Sequence, residues 1–210
     1  MDIQKLLEAS SRKHSHLCPR QVLGIRVGLA GLGALGFTSD DVNRKHLLAI
    51  AETDGCFIDG LIAATGCEFG HRTLRVEDYG KIAATFIDAK TERAYRITPA
   101  LDVRKKSYAY APSELRHYFA QLQAYQVMPD NELLSIQEVR LNQPISQIIS
   151  RPGMRVTCAL CGEEIINKRE IELGGQSLCR ACAGNAYYQG TSLEAALSVT
   201  SHHGAITFPV

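Results

Sequence analysis

The sequence predicts an α+β protein in which an antiparallel sheet packs with helices and is followed by a small four-cysteine module of zinc-ribbon type. Three observations carry this expectation. Helix-period apolar segments come first, and short β-type runs separated by turn residues follow them. Two C-x-x-C pairs then lie close together near the C-terminal end. With 210 residues, of which 45% are hydrophobic, the chain is long enough to bury a real core and to carry a second, small domain. The expected organisation is an α+β domain over residues 1–150, a zinc finger over 151–190 and a tail over 191–210.

Taken in order, Ile3, Leu6 and Leu7 fall at helical spacing and predict a leading helix over residues 2–12. Pro19 suits a first helical position because it has no amide hydrogen to leave unpaired, so a second helix is expected from there to about Gly36. Gly24 and Gly28 lie four apart on it and would let another backbone approach. Gly31, Gly33 and Gly36 spell G-x-G-x-x-G, but they close a helix instead of following a strand, so a helix-terminating role replaces dinucleotide binding.

Leu47–Ala51 reads as a buried strand. Thr53, Asp54 and Gly55 form a turn able to cap a helix running from Cys56 to near Gly66. Residues 73–76, 81–88 and 93–97 read as strands, the last two joined as a hairpin. Pro112 and Ser113 announce a helix whose apolar face is Leu115, Phe119 and Leu122, ended by Pro129. Residues 133–140 are a further strand and 142–152 a linker. Arg104, Lys105 and Lys106 read as a solvated loop, Tyr118 and Tyr125 as packing or interface residues, and His71, Arg72, His202 and His203 as exposed.

Charge narrows the function classes. Lys plus Arg number 23 against 22 Asp plus Glu, so a net charge of +1 offers no general field for nucleic acid or anionic lipid. The charged opening MDIQKLLEASSRKH does not resemble a secretory signal, and the apolar stretch Val22–Phe37 is broken by Arg26. It is also shorter than the roughly 20 residues that cross a bilayer. A cytoplasmic protein without membrane contact is expected. In that compartment seven cysteines point to metal binding or catalysis before a disulfide framework.

Cys158, Cys161, Cys179 and Cys182 form the strongest motif. Each two-residue spacer lets one turn present two sulfurs to the same ion, and seventeen residues separate the pairs. Four thiolates fill a tetrahedral zinc ion and leave no position for substrate, so this zinc is expected to be structural. The segment resembles a TraR/DksA-type zinc finger, which implies a structural or protein-contact role.

The second constellation is H-S-H-L-C-P. Cys18 precedes Pro19 and is pushed toward an extended form, in which His14, His16 and Cys18 share a face. Cys18 and Cys56 would each stand at a helix N-terminus, where the dipole favours thiolate. On the second of these helices, steps of about 100° align Cys56, Asp59 and Cys67. Cys56 and Cys67 are nevertheless separated by roughly 16 Å of helix rise, so both could bind one ion only if the helix breaks at Gly66. Spacing alone equally allows Cys56 and Cys67 to be small buried residues and the histidines to be surface groups.

The segments HSHLCPRQVLGIRVGLAGL, ETDGCFIDGLIAATGCEFG and LRVEDYGKIAATFID, with RAYRI after them, resemble the FmdE family, named for formylmethanofuran dehydrogenase, over roughly residues 10–140. The resemblance maps the H-x-H-x-C-P element onto His14, His16, Cys18 and Pro19. It maps a central cysteine and aspartate onto Cys56 and Asp59, and a G-C-x-x-G element onto Gly66, Cys67 and Gly70. It implies an α+β domain, a homodimer, and a cleft lined by these residues that holds a metal. Ser15 stands where glycine is common in the family, and Glu68 where threonine is common.

The expected first ligands of this second, transition-metal site are His16, Cys18 and Cys56, with His14, Asp59 and Cys67 as alternates. Cys18, Cys56 and Asp59 are the catalytic candidates. The family context is molybdenum- or tungsten-linked one-carbon metabolism. The competing expectations are a non-catalytic metal-sensing or accessory protein that docks a partner through its zinc finger, and a thiol redox protein using Cys18 and Cys56.

Overall fold

Pro19 starts, and Gly36 in a left-handed conformation (φ 76°) stops, the helix on which the N-terminal architecture is built. The computed structural model describes residues 2–12, 16–37, 46–149, 151 and 153–189. The chain forms two units, Met1–Ile149 and Ser150–Val210. His14 and the expected tail, with His202 and His203, lie outside the described residues.

In the first unit, α1 (Ile3–Ser11) is capped by the Asp2 carboxylate, which accepts from the Gln4 amide at 2.9 Å. It leads to α2 (Pro19–Leu35). Strand β1 (Leu47–Ala51) is followed by α3 (Cys56–Thr65) and β2 (Leu74–Val76). Strands β3 (Ala84–Asp88) and β4 (Ala94–Pro99) form a hairpin, and helices α4 (Val103–Tyr110), α5 (His117–Val127) and the short α6 (Asp130–Leu133) precede β5 (Leu134–Val139). A final turn of helix, α7 (Ile145–Ile148), closes the unit.

The strand order is β2-β1-β3-β4-β5. Alternation divides the sheet into two faces, as the pleat requires. Leu47, Ala49, Ala51 and Phe86 point into the main core with α2 and α3, whereas Leu48, Ile87 and Ala94 meet Ile145 of α7 on the other side. Helix α2 lies on the sheet so closely that a side chain at Gly31 would enter the Phe86 ring.

The α+β architecture agrees with the sequence, and several details correct it. The sheet is not wholly antiparallel: β1 and β2 pair in parallel, because α3 carries the chain back before β2 begins. Residues 103–110, which include Arg104, Lys105 and Lys106, form a helix. Val103 and Ser107, four apart, face inward and leave the charges outside. Helix α5 begins at His117, since the Glu114 carboxylate turns the chain by accepting from the Arg116 amide at 2.9 Å. Its buried face is Ala120, Ala124 and Tyr125, and Leu115 is exposed. Gly55 caps α3 through its backbone (φ 74°) and not through a side chain. The segment 142–152 contains α7 and so is more than a linker.

In the second unit two hairpins, β6 (Arg155–Thr157) with β7 (Glu164–Ile166) and β8 (Ile171–Leu173) with β9 (Gln176–Leu178), precede a helical turn at Ala181–Asn185. Gly174 and Gly175, both with positive φ, make the β8–β9 turn.

Candidate functional site

The four-cysteine cluster follows from those hairpins. Cys158 and Cys161 sit on the turn between β6 and β7, closed by the Gly162 amide donating to the Cys158 carbonyl at 3.0 Å. Cys179 and Cys182 follow β9. The four Sγ atoms all lie within 4.8 Å of one another, and Cys161 and Cys179 are 4.0 Å apart. Tetrahedral zinc with sulfurs at about 2.3 Å requires sulfur separations of about 3.8 Å, so the donor set fits such an ion. Amide hydrogens of Cys161 and Cys179 aimed at Cys158 bring its thiol down to about 6. Hydrogen bonding to Cys179, burial and the other cysteines push Cys182 up to about 12. Four thiols this close resist ionising together, and a bound cation would relieve that repulsion, so the cluster is suited to bind a metal.

The second candidate lies wholly within the N-terminal unit. Helices α2 and α3 run parallel: the residues near Gln21 and Gly24 meet Phe57 and Gly60, and Gly28 meets Ala64 and Thr65. A Cβ at Gly24 would fall on the Phe57 carbonyl, and one at Gly60 on the Gln21 carbonyl, so only glycine permits this approach. Parallel packing brings both helix N-termini to one end. Cys18, extended at φ −125° and ψ 158°, caps α2, and Cys56 is the first residue of α3.

Buried Gln21 fixes this end. Its Oε1 accepts from the Cys18 amide at 2.8 Å while its Nε2 donates to the Ser10 carbonyl at 3.2 Å, which ties α1 to the start of α2. Burial pushes the Cys56 thiol up, a hydrogen bond with Cys18 and the charge on that sulfur add to the shift, and Asp59 adds a further upward push. The two cysteines therefore stand close enough at this end of the helices for each to act on the other.

They open onto a cavity of about 890 Å³ that is also lined by His16. Asp59, half-buried in the first turn of α3, is not part of its wall. Cys67 is fully buried in the main core. Helix α3 runs unbroken from Cys56 to Thr65, about 14 Å, and Gly66 ends it only then. Glu68 is exposed and pairs with His71 at 3.2 Å. Among the described residues, only the C-terminal cysteines bring three or more possible ligand atoms together within 4.8 Å.

Sequence reasoning missed several residues of the cavity wall. Tyr118, read as packing, lines it and donates to the Leu17 carbonyl at 3.3 Å. Burial raises its phenol, and the charges of Cys18 and Cys56 raise it further. Tyr118, Gln121 and Tyr125 recur at i, i+3 and i+7, so they form one stripe along α5. That polar-tipped stripe was the available signal. Arg104, read as part of a loop, also lines the cavity.

Two ion pairs hold the walls. Arg26 donates to the Tyr125 and Met128 carbonyls at 2.7 and 2.6 Å and pairs with Asp130 at 2.6 Å, anchoring the end of α5 to α2. Glu52, buried, receives Arg96 in a two-pronged pair at 2.5 and 2.6 Å. The Glu52 carbonyl accepts from the amides of Tyr79 and Lys81, which fixes the loop entering β3 against the cavity.

Comparison with known proteins gives the family and the fold. Residues 13–155 match the family described as "FmdE, Molybdenum formylmethanofuran dehydrogenase operon". A probable S-adenosyl-L-methionine-binding protein of Archaeoglobus fulgidus is 27% identical over 205 residues, which is 88% of this chain. The chain spans about half of that relative's length, 54%. Among solved structures, a tungsten formylmethanofuran dehydrogenase FmdE-like protein from Syntrophus aciditrophicus superposes with a TM-score of 0.54 at 19% identity. The match covers 89% of this chain and 94% of that one, and it supports the shared fold.

Proposed function

The chain belongs to the FmdE family, and from that premise we propose that its N-terminal cavity is a second metal centre serving small-molecule chemistry in molybdenum- or tungsten-linked one-carbon metabolism. Cys18 and Cys56 would hold the ion, with His16, which lines the same cavity, as a further donor. The observation that carries this reading is the placement of two thiols at the N-termini of two parallel helices, both in the wall of a cavity large enough for a metabolite. Sulfur and imidazole donors suit zinc, iron, nickel or copper. Such an ion would supply a Lewis acid next to the cavity.

What this chain contributes is placement. Gln21 fixes the Cys18 backbone, Tyr118 lines the cavity beside the pair, and a cation would offset the burial that keeps the Cys56 thiol protonated. The C-terminal cluster we assign to structural zinc, in a finger of the TraR/DksA type that offers a partner surface through exposed Leu160 and Tyr187. The protein is proposed to work as a cytoplasmic homodimer.

Elemental analysis of the protein purified without added metal tests the reading. Two metals per chain are expected, falling to one in the Cys18→Ser, Cys56→Ser double variant. One metal per chain in both proteins would overturn it. A second reading makes S-adenosyl-L-methionine the occupant, supported by the likeness to the Archaeoglobus fulgidus protein along 88% of this chain. Calorimetric titration with that compound decides it: saturable binding that is lost in Tyr118→Ala supports the second reading, and no heat of binding removes it.

A further inference from the structure

The cavity wall is charged in one sign only. Arg20 from the first turn of α2, Lys81 from the loop before β3 and Arg104 from α4 all line it, and among the described residues no aspartate or glutamate does. The chain as a whole is balanced, with 23 basic and 22 acidic residues, so this segregation is local.

The three cations also differ from their neighbours. Lys106, on the same helix as Arg104, pairs with Asp102 at 3.2 Å, and Arg116 pairs with Glu114 at 3.4 Å. Among the described residues no ion pair engages Arg20, Lys81 or Arg104. Two of them are tied to the surrounding structure. The Lys81 amide donates to the carbonyl of Glu52, the residue whose carboxylate receives Arg96, and the Arg104 charge acts on the buried Tyr125 hydroxyl. The N-terminus of α2, a helix of 17 residues, adds its positive end to the same space.

Resting on the assignment of this cavity as the functional site, we infer that it takes an anionic small molecule, one whose carboxylate or phosphate group is received by Arg20, Lys81 and Arg104. Three cations on three different elements outline a polyvalent or extended anion more readily than a single point charge. The apolar wall supplied by Leu23, Ile82 and Val103 accommodates a short carbon skeleton beside it. Like-signed charges in a concave, partly apolar space also raise the local concentration of such an anion before it docks.

The test is calorimetric titration of the full chain at low ionic strength with inorganic phosphate and with succinate, and with choline as a cationic control. At least one anion is expected to saturate at one site per chain, and choline to give no binding. The Arg20→Gln, Lys81→Gln, Arg104→Gln variant should bind that anion at least tenfold more weakly. Phosphate binding alone assigns a phosphate group, and succinate binding alone a carboxylate. Arg104→Gln by itself, a change at an exposed side chain, is expected to weaken binding at least threefold, so the inference is testable even if the triple variant folds poorly.

No binding of either anion, unchanged binding in both variants, or equal binding of choline would overturn the inference. Metal content measured on the same samples separates the two claims. The triple variant should keep its metals, so lost anion binding with full metal content bears on the anion alone. Unchanged metal content in the Cys18→Ser, Cys56→Ser variant counts against the metal centre whatever the anion does.

Discussion

The two cysteine sites of this protein are built in opposite ways. In the C-terminal cluster four sulfurs come from 25 consecutive residues (158–182), on two turns, and already stand within 4.8 Å of one another. In the N-terminal cavity Cys18 and Cys56 come from different helices, and their meeting depends on a glycine-lined helix contact, a buried glutamine and walls supplied by α4 and α5. A closed site made of neighbours in sequence can only be filled. An open site assembled from afar keeps room for a ligand, and its geometry depends on the whole domain.

The contrast can be broken most severely by removing metal. Chelation of the purified protein should unfold the second unit while the first keeps its structure, because two short hairpins with a core of Cys158, Ile165 and Leu178 have little else to hold them. Amide-resolved NMR with and without chelator should show the amides of residues 153–189 collapse and those of the sheet persist. Dispersed signals throughout would contradict the assignment of that metal as structural.

The next effect concerns the partly buried ion pair of Arg96 with Glu52. Arg96→Met leaves Glu52 buried without its partner and should cost about 4 kcal/mol in urea unfolding, since breaking one side of such a pair strands a charge. The same change should loosen the Lys81 loop and leave the C-terminal cluster untouched. Gly60→Val comes next. It drives a side chain into the Gln21 carbonyl and should cost about 3 kcal/mol, with loss of metal from the N-terminal site only. A loss smaller than about 1 kcal/mol would mean that α2 and α3 can separate without strain.

Smallest is the acid response of the β3–β4 hairpin. Burial raises the Asp88 carboxyl, but hydrogen bonds from the Thr91 hydroxyl and the Lys90 amide outweigh it and hold the group below its usual range. Its folded value is thus below its unfolded one, so the stabilisation is complete above about pH 4 and is lost as pH falls through the folded value. Asp88→Asn should cost about 1 kcal/mol at pH 7 and nothing in strong acid, measured by unfolding at both. Neither cysteine site should change.

How much was legible in the sequence follows the same division. Local signals sufficed for α1, α2, β1, α3 and the cysteine cluster, because proline, glycine and paired cysteines act within a few residues. The apolar face of α5 lies elsewhere than the sequence suggested, since the small alanines at 120 and 124 are fully buried and nothing about an alanine announces that. Helix α4 was hidden by its charges. The parallel placement of β2 needed the length of α3, and the basic wall of the cavity needed three elements that only the fold brings together. Cys67 shared a helical face with Cys56 in projection and yet went to the core, because alignment along an axis does not shorten it.

The central claim is that Cys18 and Cys56 hold a metal of their own. Anomalous diffraction at the metal absorption edges, on crystals of the protein as purified, tests it most directly. Two peaks per chain are predicted, one within the Cys158, Cys161, Cys179, Cys182 cluster and one between Cys18 and Cys56. A single peak at the C-terminal cluster, with the two N-terminal sulfurs in contact only with each other, would contradict it.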